Sequence, residues 1–268
     1  MTIYKLTDLN GNSKSLYKPN LLINGDFKIN IRNQTTYSAD TIWTYTLPMW
    51  RINNGKLYVN EGFVRFHRET STNNAYLNQV VATKSDSICV VKVKEISGNA
   101  VIRFGDSTVT KTVSDTGIYL VYNPQAISAV AIELPEQNSY IDIEYIDLFD
   151  GDIAYSHVEE DKAIAQIRCN RYVIVGGIPC IAFSDGNKFY LCFESIQMES
   201  TPTVSYDSIV VTGNGNRFTS SAATAETVFY GNNVGMSASF DLSVLSQTIE
   251  KYTVVLAEPS NLVISCEP

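Results

Sequence analysis

Tyr140-Ile141-Asp142-Ile143-Glu144-Tyr145, YIDIEY, alternates ring or branched apolar side chains with acids. In an extended chain successive side chains point to opposite faces, so Ile141, Ile143 and Tyr145 are expected on an inward face and Asp142 and Glu144 on the solvated one. Upstream, Ile88 to Val93, Ile118 to Tyr122 and Ala129 to Leu134 are short runs rich in β-branched and aromatic residues, bounded by Gly, Asn, Asp or Pro. Such runs read as strands. Downstream, a second series of strand-like runs covers residues 172–175, 189–193, 208–212, 237–242, 252–256 and 262–264, with Asp185-Gly186, Asn214-Gly215 and Gly231-Asn232-Asn233 supplying turn residues that accept positive φ. The fold class is therefore all-β, in two strand-rich blocks.

Between the blocks lies the one expected helix, 156–172. Ser156 and Glu159 make a Ser-x-x-Glu capping pattern, and Val158, Ala165, Cys169 and Tyr172 fall along one helical stripe. A chain of 268 residues accommodates two domains of roughly 100–150 residues, and 44% hydrophobic residues suffice for a packed core. No repeat, heptad run or low-complexity tract is present, so a repetitive fibre shaft is not expected within these residues.

Composition narrows the function. A formal charge of -8 disfavours phosphate-backbone binding, which depends on concentrated basic surface, so nucleic acid is not an expected partner. No apolar run reaches the ~18 residues that span a bilayer, and the first twenty residues lack a signal-peptide pattern, so no membrane insertion is expected and folding in a cytoplasm is. The five cysteines (Cys89, Cys169, Cys180, Cys192 and Cys266) are widely spaced without a C-x-x-C pair, and read as small buried hydrophobes.

Several strings share a resemblance. Asn20-Leu21-Leu22-Ile23-Asn24-Gly25-Asp26-Phe27 is similar to the opening of carbohydrate-binding-module-like jelly rolls, found in glycan-binding modules and phage tail-fibre proteins, where the apolar residues start the first strand, Asn-Gly makes a tight turn and Phe plugs the sandwich. The polar stretch Asn30 to Gln34, the stretch to Trp50-Arg51, and Ile141 to Leu148 followed by Asp150-Gly151 fall where such phage modules place a polar loop, a tryptophan-bearing strand and the last strand. Cys169-Asn170-Arg171-Tyr172 resembles the Cys-x-Arg-Tyr helix end that follows the module in tail-fibre and virion-appendage proteins, and Met198 to Val204 resembles the start of their next strand. These anchor points lie between about Asn20 and Val204. The resemblance implies a bacteriophage virion protein, assembled in the host cytoplasm and homotrimeric. Its expected parts are an N-terminal attachment arm (1–19), a jelly roll (20–155), the connecting helix (156–172) and a C-terminal β-sandwich (173–268). The implied partners are other virion proteins and a host cell-surface glycan. A purely architectural head-fibre, collar or baseplate role is the alternative.

Sugar recognition uses an aromatic platform among polar groups. Tyr37, Trp43 and Tyr45, set among Thr and Ser, are the candidate platform, or else part of a subunit interface, whereas Trp50 resembles the family's core tryptophan. The resemblance also implies a possible structural calcium at Asn24, Asp26 and Asp147, although Lys28 stands where calcium-holding relatives often carry an acid. Without the ion, Asn24 and Asp26 simply make a turn. Catalysis is not expected. No carboxylate pair is identifiable, no nucleophile motif accompanies His67 or His157, and His67 reads as a surface residue on the face of Arg65. The polar stretch 213–233 reads as one loop.

Overall fold

In the computed structural model, residues 18–69, 72–105 and 107–172 are described with their side chains, and the strands at 5–7, 13–15 and between 173 and 265 by their backbone. Antiparallel strands dominate, and one short helix occurs among the described residues. The chain divides into two compact units, 1–166 and 167–267.

In the first unit β1 (Lys5–Thr7) pairs with β2 (Ser13–Ser15). The strands that follow are β3 (Thr36–Ala39), β4 (Thr44–Tyr45), β5 (Trp50–Asn53), β6 (Gly55–Asn60), β7 (Phe63–Arg68), β8 (Ala75–Val80), β9 (Ser87–Ser97), β10 (Ala100–Phe104), β11 (Thr110–Val113), β12 (Gly117–Asn123), β13 (Ala129–Leu134) and β14 (Ser139–Asp150). They form two six-stranded sheets, β12-β9-β14-β7-β6-β3 and β11-β10-β13-β8-β5-β4. One hydrophobic core joins their inner faces: Leu57, Phe66 and Ile141 from the first sheet meet Trp50, Leu77 and Ile132 from the second, all fully buried. This is a sandwich-like arrangement, and period-two alternation built it.

The alternation of 140–145 holds only in part. Ile141 and Ile143 point into the core as expected, but register shifts on either side of Ile143 leave Lys94 and Glu144 unopposed. The first bulge lies on β9, and the second, at Glu144, reverses which face the following residues of β14 address. Ile146 and Leu148 therefore enter the core, whereas Tyr145, expected inside, is half-buried and stacks on His157.

The opening string forms turns and no first strand. Asn20 holds it against β14: its Nδ2 donates to Ile146 O and Asp147 Oδ1, and its Oδ1 accepts from Leu22 N and Leu148 N. Gly25 is needed here because a Cβ would lie 2.3 Å from Ile146 O. Phe27 plugs the core against Trp50, ring centroids 5.1 Å apart, and Trp50 Nε1 donates to Asn24 O. Two clamps from opposite sheets have replaced the expected strand.

The helix is shorter than expected. α1 spans Lys162–Asn170, and Asp161 caps it by accepting from Ala163 N and Ile164 N through Oδ1. Ser156 does not cap, because residues 154–157 lie extended on the first sheet: Ala154 and Tyr155 pack against Ile88, Val90 and Phe149. That burial outweighs a local capping preference.

In the second unit β15 (Val173–Val175), β24 (Val263–Ser265) and β18 (Thr203–Ser205) make one sheet. β16 (Cys180–Ser184), β17 (Lys188–Phe193), β19 (Ser208–Gly213), β20 (Asn216–Ser220), β21 (Glu226–Phe229), β22 (Met236–Asp241) and β23 (Val254–Ser260) make another. The stretch 213–233, read as one loop, contains β20 and β21, where Phe218, Thr219, Val228 and Phe229 carry the strand preference. The expected arm 1–19, apart from β1, β2 and residues 18 and 19, and the cysteine side chains at 180, 192 and 266 lie outside the described residues.

Asn20→Ala removes both clamping amide donors and leaves the backbone amides of Leu22 and Leu148 without their acceptor. The expected loss is about 2–3 kcal/mol in urea unfolding, with an unchanged denaturant slope.

Candidate functional site

The outer face of the first sheet carries aromatic and hydrogen-bonding side chains in transverse rows. Cross-strand pairing aligns Ser38 with Lys56, Lys56 with His67, and His67 with Tyr140. The adjacent row aligns Thr36, Tyr58, Arg65, Asp142 and Glu95. Over these rows and the Asn60–Phe63 pair beyond them, an open groove of about 410 Å³ is lined by Tyr58, Asn60, Phe63, Arg65, His67 and Tyr140.

Arg65 organises the groove. Its Nε and Nη2 donate to the two oxygens of Asp142 at 2.7 and 2.8 Å, and Nη2 also reaches Glu95 Oε2 at 3.4 Å. Its guanidinium lies 4.1 Å from the Tyr140 ring centre, and the Tyr140 hydroxyl donates to Glu95 Oε1 at 2.5 Å. The hydrogen bonds that Arg65 donates to the Asp142 carboxylate, more than the carboxylate's charge alone, hold Arg65 protonated even above the ordinary guanidinium range. The His67 ring stands between Tyr58 and Tyr140, 6.5 Å from each, edge-on to the latter. Lys94 lies over Phe63 at 3.8 Å. Rings flanked by fixed donors and acceptors suit a ligand with apolar faces and hydroxyl edges.

The residues expected from sequence fall elsewhere. Tyr37 is 5% exposed and belongs to the core, with its hydroxyl donating to Asn30 Oδ1; it cannot be part of an exposed platform. Tyr45 is half-buried in the edge strand β4 of the second sheet. Trp43 is 41% exposed, with the Arg51 guanidinium 4.7 Å from its ring and Tyr76 tilted beside it. The three do not form one surface. Tyr58, His67 and Tyr140 were missed because they are distant in sequence and only strand register brings them together.

The expected calcium residues are otherwise engaged. Asn24 uses both ends of its amide on the backbone of Ile29. Asp147 accepts from Asn20 through Oδ1 and meets His157 Nδ1 through Oδ2 at 2.9 Å. Lys28 Nζ stands 3.5 Å from Asp26 Oδ2 and also pairs with Glu159. Calcium requires about six to eight oxygen ligands, and this set does not fit it. The ammonium of Lys28 and the hydrogen-bonded clamp perform the local charge balance.

Neither a protein-family model nor a curated protein matches the chain.

The Tyr140 phenol is held above its ordinary value near 10, chiefly because its hydroxyl donates a hydrogen bond to Glu95. This contribution to stability is present below that ordinary value and is lost as pH rises through the raised one. Glu95→Ala is expected to bring the Tyr140 titration midpoint down, measured by NMR of labelled tyrosine rings; an unchanged midpoint contradicts the assignment.

Proposed function

We propose that this chain is a non-catalytic bacteriophage virion protein, a tail-fibre or appendage component whose jelly roll (20–155) presents the Tyr58, His67 and Tyr140 face to a host-surface glycan. The observation that carries the reading is the groove itself. Half-buried rings with a pre-positioned guanidinium and an amide match the mixed apolar and hydroxylated surface of a pyranose. Arg65, already held by Asp142 and Glu95, offers fixed donors without reorganising.

The non-catalytic reading of this groove is supported by the same contacts. Asp142 is 1% exposed and bound by Arg65 through both oxygens, and Glu95 accepts from Arg65 and Tyr140. Carboxylates so engaged serve as acceptors, whereas glycoside hydrolysis needs one that donates a proton. The similarity of residues 20–27 and 169–172 to tail-fibre proteins supplies the virion setting, the homotrimer and the division into a jelly roll and a C-terminal β domain.

A purely architectural role is the second reading, and edge strand β12 favours it. Ile118, Leu120 and Tyr122 project from one face of β12, each about half exposed, as a protein contact would require. Cryo-electron microscopy of the particle separates the two, since recognition requires the groove to face outward and architecture requires it to be covered by neighbours.

Purified chain is expected to adsorb to host bacteria and compete with intact particles. Tyr140→Ala should lower that adsorption at least about tenfold, the effect of losing one stacking contact of roughly 1.4 kcal/mol. Trp43→Ala should leave it unchanged. Adsorption that depends on Trp43 and ignores Tyr140 would overturn the choice of face.

A further inference from the structure

Next to the aromatic groove, at the end of the sheet where β5 leads into β6 and β7 into β8, lies a second depression of about 400 Å³, whose lining includes Ser38, Asp40, Lys56, Glu69, Thr72 and Asn73. The two are neighbours by register. Lys56, a wall of the second, is the cross-strand partner of His67, a wall of the first, and lies two residues before Tyr58 on the same face of β6. The two linings adjoin at the row of Ser38, Lys56, His67 and Tyr140 and together run along β6 from Asn60 to Asn54, roughly 20 Å at about 3.3 Å per residue. That is longer than a single sugar ring.

The charges along these linings are already matched. Lys56 pairs with Glu69 at 2.8 Å, and Glu69, chiefly through this hydrogen bond, holds the Lys56 ammonium above its ordinary range. Arg65 is paired with Asp142 and approached by Glu95. Lys94 stands outside both depressions, over Phe63, while Asp40 adds a carboxylate to the second. An acidic sugar would meet no uncommitted cation from the linings described. A hydroxylated, uncharged chain would find acceptors and donors along both linings.

We infer that the ligand is an uncharged oligosaccharide laid along β6, one unit stacked among Tyr58, His67 and Tyr140 and a following unit hydrogen-bonded in the Ser38, Asp40 and Asn73 depression. This inference rests on the glycan reading of the groove and adds to it a second subsite, a direction and a charge class.

The experiment uses the whole chain on a panel of neutral and acidic oligosaccharides graded from mono- to hexasaccharide, with Tyr140→Ala and the pair Ser38→Ala, Asn73→Ala as variants. Ser38 and Asn73 are exposed, so both variants should fold; circular dichroism checks this. The expected result is binding of neutral members that strengthens from the mono- to the trisaccharide. The double variant should lose roughly tenfold on the longer members and nothing on the shortest, the loss of about two net hydrogen bonds. Binding that depends on Tyr140 but shows no gain with length, or prefers acidic members, overturns the second subsite and leaves the groove reading intact. Binding that ignores Tyr140, or no binding to any member, overturns both.

Discussion

The functional face depends on the two register shifts that flank Ile143 where β14 meets β9. Before them, β14 runs with Tyr140 and Asp142 turned outward and Ile141 in the core; after them, Ile146 and Leu148 take the core positions. Uninterrupted alternation would have sent Tyr145 and Asp147 inward and Ile146 and Leu148 outward, at a cost of several kcal/mol in exposed apolar surface and a buried charge. The shift lets one strand serve two surfaces. Its first half contributes Tyr140 to the groove and Asp142 to the support of Arg65, and its second half presents Tyr145 and Asp147 to the returning segment before α1.

That returning segment explains why groove and clamp are distinct. His157 stacks on Tyr145 with ring centroids 3.8 Å apart and reaches Asp147, while Tyr155 covers Phe149. This half of the outer face is occupied by the chain itself. The half formed by β3, β6 and β7 with the start of β14 remains open, and its polar groups are held by one another. Asp142 lies almost fully buried beneath Arg65, so the ion pair is rigid. Such a pair adds little net stability but fixes geometry, because loss of either partner strands the other charge.

Much of the architecture was legible in the sequence. Strand-like runs gave the all-β class, and Trp50 was recognisable as a core residue, which it is at 0% exposure. What escaped reading was governed by tertiary contacts. YIDIEY carries no mark of a bulge, since the shift is a property of its pairing with Lys92 to Glu95. Ser156 and Glu159 form a sound capping pattern, yet Tyr155 and His157 gain more by packing on the sheet, so the helix waits until Asp161. Asn20 to Phe27 suggested a strand and became a clamped turn, because Asn20 and Gln79 supply the hydrogen bonds that a strand neighbour would have given. The groove was the least visible of all: Tyr58, Arg65, His67 and Tyr140 come from three strands, and only their register places them together. Trp43 looked more like a binding residue in sequence because it stands in a single polar stretch.

Whether this register-built row of rings meets a sugar decides the function of the face. Ring resonances of His67, Tyr58 and Tyr140, followed by NMR while purified host-surface polysaccharide is added, test it most directly. Saturable shifts at these three rings, with the buried Tyr37 ring unmoved, are the predicted result. Shifts confined to Trp43 and Tyr76, or no shift at polysaccharide concentrations that saturate adsorption, would contradict it.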